Sequence, residues 1–282
     1  NAFKKSHGDF LKDLKRFSDD TKNNEELRAK IEKKFKIKNT CGYSLNALID
    51  FEDEFEILEH LIIGSEGTLA FIEEITYYTV EDLKDKASSL MYFKDMNEAC
   101  SAVTKLKLAR DSKQIVVDAV ELMDRAALRS IEQDEMMPSF IKDFDDEVTA
   151  LLIETRAINN PQLDIQINQI EELLKEFSVV RDIYFTKDEK EYTLYWKIRK
   201  GLFPAVGAVR VTGTTVIIED VAYPIECLAE ATLELQSLFQ KYEYSEALIF
   251  GHALEGNFHF VFTQDFSDPK EVKRYDDLMN EV

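Results

Sequence analysis

From about residue 81 onward, short β-branched and aromatic runs alternate with longer stretches whose apolar residues recur at helical spacing, and this alternation restricts the fold more than any other feature of the chain. Strands are expected at 88–93, 115–121, 148–155, 179–185, 214–221, 247–250 and 258–262. Helices are expected at 96–109, 123–132, 162–177, 187–202 and 225–241, with a last one from Pro269. Strands joined partly by helices and partly by hairpins predict an α+β domain with a mostly antiparallel sheet covered by helices on one face. Ahead of it, residues 4–36 read as one or two amphipathic surface helices with Phe10, Leu11, Leu14, Phe17, Leu27, Ile31 and Phe35 at helical spacing, and 71–80 alternates in the β manner. The change of pattern sets an expected boundary near residue 80, dividing 1–80 from 81–282.

Composition bounds the partners. The chain has 282 residues, 45% of them apolar and 11% aromatic, enough to bury a core. A net charge of -20, with basic residues interleaved among acids, repels phosphate backbones and anionic lipid, so neither nucleic acid nor a membrane surface is an expected partner. No apolar run approaches the ~20 residues of a membrane-spanning helix. Cys41, Cys100 and Cys227 are far apart and form no CxxC pair, which excludes a disulfide framework or a cysteine-ligated cluster built from this chain and suits three buried, reduced thiols in a cytosolic protein. An initial Asn-Ala with no Met reads as the scar of a cleavage, so an excised piece of a longer protein is expected.

Three segments bear chemistry. Gly64-Ser65-Glu66-Gly67-Thr68-Leu69 follows an apolar run, and two glycines three apart let the backbone turn tightly or lie against a flat or anionic group. The same residues also suit a plain turn before a strand. Gly251-His252-Ala253-Leu254-Glu255-Gly256-Asn257-Phe258-His259 holds two of the four histidines. Seven residues apart, they would face opposite ways on a regular strand, so only a turn at Glu255-Gly256-Asn257 can bring both imidazoles to one side. There they could bind a divalent metal, with Glu255 or another acid completing the set, or serve as two polar hairpin residues. Trp196-Lys197-Ile198-Arg199-Lys200-Gly201-Leu202-Phe203-Pro204 reads as a helix end where cations favour the macrodipole or where a guanidinium could clamp a carboxylate.

Asn39-Thr40-Cys41-Gly42-Tyr43-Ser44-Leu45, then Gly64 to Leu69, then Gly251-His252 to Gly256-Asn257-Phe258-His259, occur in an order that resembles the FAD-linked D-2-hydroxyacid dehydrogenases, the family of D-lactate, D-2-hydroxyglutarate and glycolate-oxidase D-subunit flavoproteins. The stretches 45–80 and 199–224 are most similar to long members in which an iron–sulfur module follows the flavoprotein part.

The resemblance implies that 1–80 is the tail of an FAD-binding domain and 81–282 a substrate-binding cap built of ferredoxin-like units and cut short at its C-terminus. It implies FAD contacts at Gly64, Ser65, Glu66, Gly67 and Thr68. It implies a divalent metal (zinc, iron or manganese) on His252 and His259, a substrate-facing Asn257, a catalytic contribution from His259, and a grip of Arg199 on the substrate carboxylate. The family's further acid ligand and catalytic histidine would lie beyond residue 282, as would the cysteines of any 4Fe-4S clusters. The implied reaction is oxidation of a D-2-hydroxy acid to the 2-oxo acid, with electrons passing onward to a quinone or cytochrome. The implied place is the cytoplasm, with the complete protein peripheral at the inner face of the membrane. Where the family commonly has Gly-Asp-Gly-Asn, this chain has Leu254-Glu255-Gly256-Asn257, and Glu219 stands before Asp220 where some relatives have a lysine. The competing expectation is a non-catalytic α+β ligand-binding module whose two histidines cap a hairpin.

Overall fold

A computed structural model of the chain describes residues 2–39, 42–133 and 137–282. It divides into two compact units, Asn1–Glu81 and Asp82–Val282. Within the described residues no helix is long and apolar enough to cross a membrane.

The first unit is helical: α1 (Ala2–Ser6), α2 (Gly8–Asn23), α3 (Glu25–Lys34), α4 (Ala47–Asp50) and α5 (Glu54–Ile62). The Asn24 side chain accepts from the Leu27 amide to start α3, and Asp53 accepts from Phe55 and Glu56 to start α5, caps worth about 1 kcal/mol each. Leu11 and Ser18 of α2 are buried, and the Ser18 hydroxyl donates to the Leu48 carbonyl of α4 at 2.6 Å. Phe10 and Phe17, expected on the same apolar stripe, are exposed instead. Residues 71–80 form no strand despite their alternation, because among the described residues no strand pairs with them; Phe71, Tyr77, Tyr78 and Val80 are exposed.

The second unit runs β1 (Asp85–Phe93), α6 (Met96–Asp111), β2 (Ala119–Met123), α7 (Arg125–Ile131), β3 (Thr149–Ala157), α8 (Asn160–Leu174), α9 (Glu189–Val209), β4 (Thr215–Ala222), α10 (Leu228–Lys241), β5 (Leu248–His252), β6 (Asn257–Gln264) and α11 (Pro269–Glu281). The strands form one six-stranded antiparallel sheet in the order β1-β3-β2-β5-β6-β4. This is the α+β architecture expected from the alternation of elements.

The helices, however, cover both faces rather than one. Alternate strand residues are apolar on each side, so either face left open would expose them. Phe93, Leu122, Leu151, Ile153, Ile249 and Phe260 pack under α6, α8, α10 and α11. Tyr92, Met123, Leu152, Phe250 and Val261 pack under α7 and α9 through Leu128, Ile198, Leu202 and Val206. Each such side chain contributes roughly 1.5–3 kcal/mol on burial.

Two further expectations change. Residues 179–185 do not form a strand; Val180 donates to the Tyr92 carbonyl and Thr186 exchanges a pair of bonds with Ser88, but the backbone between loops away from β1. The helix expected to stop at Leu202 continues to Val209 with Pro204 inside it. A proline there removes one helical hydrogen bond, and the burial of Leu202 and Val206 against the sheet on either side of it holds the helix through. Lys197, Arg199 and Lys200 therefore lie in mid-helix, not at a C-terminus. Cys100 is buried, and burial pushes its thiol up to about 12, but Cys227 is only half-buried; Cys41 lies outside the described residues.

Candidate active site

The face of the sheet beneath α9 gathers the polar side chains. A single 3-10 turn over Ala253–Glu255 and a left-handed Gly256 (φ 60°) reverse the chain between β5 and β6. A Cβ on Gly256 would stand 2.2 Å from the Tyr223 carbonyl oxygen, and one on Gly251 would stand 2.6 Å from the Asn257 carbonyl oxygen. Both positions are therefore closed to any side chain. The turn places His252 opposite Asn257 and His259 opposite Phe250, so the two imidazoles share one face with ring centroids 5.4 Å apart at 80°.

Each imidazole meets a carboxylate from the adjacent strand. Glu121 of β2 lies opposite His252, and the Nδ1–H of His252 donates to its Oε1 at 2.7 Å. Asp220 of β4 lies opposite His259 and accepts from that Nδ1–H. An ionised carboxylate only accepts, so each Nδ1 carries the hydrogen, and in the neutral imidazole Nε2 is the nitrogen with the lone pair. Arg199 of α9 turns its Nε and Nη2 to Glu121 Oε2, both at 2.8 Å, with its Cζ 4.6 Å above the Phe250 ring. Burial works to raise the Glu121 carboxyl, but the His252 hydrogen bond and the Arg199 charge outweigh it and hold the group below its ordinary value. The Asn257 amide N–H donates to the Val221 carbonyl at 3.0 Å, which fixes that side chain beside His252.

The structure thus brings Arg199, His252, Asn257 and His259 to one face, together with Glu121 and Asp220, which sequence reasoning missed. A charged residue inside the apolar run 115–123 was the available sign of Glu121. Glu255 does not join the histidines: its carboxylate lies 3.3 Å from Arg110 and 3.7 Å from Lys107 of α6. Glu219 pairs with Phe260 and so belongs to the opposite face from Asp220. Among the described residues no group of three or more His, Cys, Asp and Glu could hold a metal ion. Two imidazole Nε2 atoms, each with Nδ1 fixed by a carboxylate, suit the partial donor set of a divalent metal.

In the first unit, Gly64 (φ 77°), Glu66 (φ 51°) and Gly67 (φ 78°) are left-handed and form a tight loop. The Thr68 hydroxyl donates to the Ser65 carbonyl at 2.6 Å and meets the Tyr43 hydroxyl at 3.0 Å; the Ser44 hydroxyl donates to the Ile63 carbonyl. These bonds join the segment at 42–45 to the glycine loop. A Cβ on either glycine would meet nothing within 4 Å, so the loop backbone is open to a flat ligand.

Comparison with known proteins gives a consistent result. The family described as FAD linked oxidases, C-terminal domain, matches residues 83–282. Glycolate oxidase subunit GlcD of Bacillus subtilis (strain 168) is 25% identical over 229 residues, 80% of this chain and 45% of that protein. A protein described as "Probable D-2-hydroxyglutarate dehydrogenase, mitochondrial" of Oryza sativa subsp. japonica is 28% identical over 219 residues, 75% of this chain and 36% of that protein. D-lactate dehydrogenase of Anaerostipes hadrus is 25% identical over 221 residues, 77% and 44% respectively. The chain spans less than half the length of each of these relatives. A crystal form of alkyldihydroxyacetonephosphate synthase shares the fold, with a TM-score of 0.56 at 16% identity over 80% of this chain and 45% of that one. The chain belongs to the FAD-linked oxidases, of which residues 83–282 are the C-terminal domain.

Proposed function

We propose that these residues belong to a flavin-dependent oxidoreductase that oxidises a D-2-hydroxy acid, of the D-lactate or D-2-hydroxyglutarate type, to the 2-oxo acid. In this reading residues 82–282 form the substrate-binding cap, and residues 1–81 are the end of the FAD-binding domain, with Gly64, Ser65, Glu66, Gly67 and Thr68 laid against the nucleotide. The observation that carries it is the pair His252 and His259, each with Nδ1 fixed by a carboxylate, beside a guanidinium on the same face of the sheet. The names of the relatives, a glycolate oxidase subunit, a D-2-hydroxyglutarate dehydrogenase and a D-lactate dehydrogenase, support the substrate class.

Arg199 binds the substrate carboxylate through N–H groups not committed to Glu121. His252 and His259 present Nε2 toward the 2-hydroxyl and would hold a divalent metal together with donors outside the described residues. Asn257, anchored on Val221, lines the same place. The metal would supply Lewis acidity that lowers the hydroxyl pKa, and FAD would accept the hydride from C2. In the complete protein, 4Fe-4S clusters would supply the onward path for the electrons to a quinone or cytochrome.

Steady-state kinetics of Arg199→Ala and Arg199→Lys in the complete protein test this reading. Both variants should lose kcat/KM for D-2-hydroxy acids by the equivalent of about 2–4 kcal/mol, Arg199→Lys because it keeps a charge toward Glu121 but gives up the planar fork. Unchanged kcat/KM in both would overturn the role given to Arg199, whereas a native protein that turns over no D-2-hydroxy acid would favour a ligand-binding module without catalysis.

A further inference from the structure

Glu121 comes from a central strand, is 6% exposed, and touches two residues that arrive from different elements, Arg199 of α9 and His252 of β5. We propose that Glu121 is a positioning residue that fixes, at once, which edge of Arg199 meets the substrate carboxylate and which nitrogen of His252 meets the metal; the proposal rests on the roles given to those two residues above.

The division of its two oxygens carries the argument. Oε2 takes both Nε and Nη2 of Arg199, and Oε1 takes the Nδ1–H of His252. A guanidinium has five N–H groups in one plane, so committing the Nε–Nη2 edge leaves the Nη1–Nη2 end for an incoming carboxylate. The Phe250 ring beneath Cζ holds that plane in place. On the other side, a hydrogen on Nδ1 leaves the lone pair on Nε2, the atom turned away from Glu121. Strand register sets Glu121 opposite His252, and the packing of Ile198 and Leu202 sets the position of α9, so the backbone brings the three side chains together.

A carboxylate is the only group of this size with acceptors on both ends. In Glu121→Gln one oxygen remains, and the charged guanidinium is the stronger claimant for it. The amide NH2 then faces His252 Nδ1, which can accept only as the opposite tautomer, with the hydrogen on Nε2 and the metal-facing lone pair gone.

Long-range 1H–15N spectra of the 282-residue chain with labelled histidine read the tautomer directly. His252 should carry its hydrogen on Nδ1 in the native chain and on Nε2 in Glu121→Gln. In the same preparations, zinc affinity measured by competition with a chelator should fall at least about tenfold in Glu121→Gln. An unchanged tautomer, with zinc binding that is lost in His252→Ala but retained in Glu121→Gln, would overturn the proposal while leaving the metal reading intact. If His252→Ala binds zinc as the native chain does, the metal reading fails, and the tautomer in Glu121→Gln alone then supports or overturns the positioning role.

Discussion

The indole Nε1–H of Trp196 donates to the buried carboxylate of Glu154 at 2.6 Å, which ties the middle of α9 to β3; one helical turn later, Arg199 reaches Glu121 on the adjacent strand β2. Two carboxylates from neighbouring central strands thus fix the helix that presents Arg199. Glu154 also accepts from the Ser88 hydroxyl at 3.0 Å and from Arg156 Nε at 2.8 Å.

Trp196→Phe keeps most of the packing and removes the indole N–H. A buried carboxylate that loses one donor is expected to cost about 1–3 kcal/mol. Urea unfolding should show a lower midpoint with an unchanged slope. An unchanged midpoint would show that the helix does not depend on this bond.

Gly256→Ala sets a left-handed backbone and a Cβ only 2.2 Å from the Tyr223 carbonyl oxygen against the turn that brings His252 and His259 together. The combination should destabilise the chain by more than about 2 kcal/mol. Thermal or urea unfolding checks this, and a stability equal to the native chain's would contradict the turn geometry.

Asp124 caps α7 by accepting from the Ala127 amide, and burial pushes its carboxyl up to about 7. Between about pH 4 and pH 7 the folded chain then keeps a proton that the unfolded chain has released. Stability falls as pH rises through that window, by at most about 1.4 kcal/mol per pH unit. Asp124→Asn keeps a capping acceptor and removes the titration. Urea midpoints measured from pH 4.5 to 8 should therefore fall more steeply in the native chain than in the variant, and equal slopes would show that Asp124 is not the source.

Much of this site is legible in the residues, and the parts that are not have physical reasons. Gly256 followed by Asn257 announces the reversal that brings His252 and His259 to one side, because few residue types accept that backbone. Glu121 escapes notice because a charged residue in a strand looks like a solvated position until the helix lying over its face is known, and the exposed Asp220 is singled out only by its register opposite His259. The same ignorance of α9 hides the second helical layer: the strands are apolar on both sides, yet a sequence does not say which helices return to which face. Residues 179–185 and 71–80 alternate like strands, but alternation records what a side chain prefers, not whether a neighbouring backbone is there to pair. Pro204 reads as a helix end because its local cost is plain, whereas the burial of Leu202 and Val206 that offsets it is tertiary.

The central claim is tested most directly by anaerobic mixing of the complete flavin-loaded protein with paired D- and L-2-hydroxy acids while the absorption of the oxidised flavin is followed. The account predicts that a D-2-hydroxy acid bleaches the flavin and its L-enantiomer does not. A flavin left oxidised by every D-2-hydroxy acid in the panel, or bleached equally by both enantiomers, would contradict it.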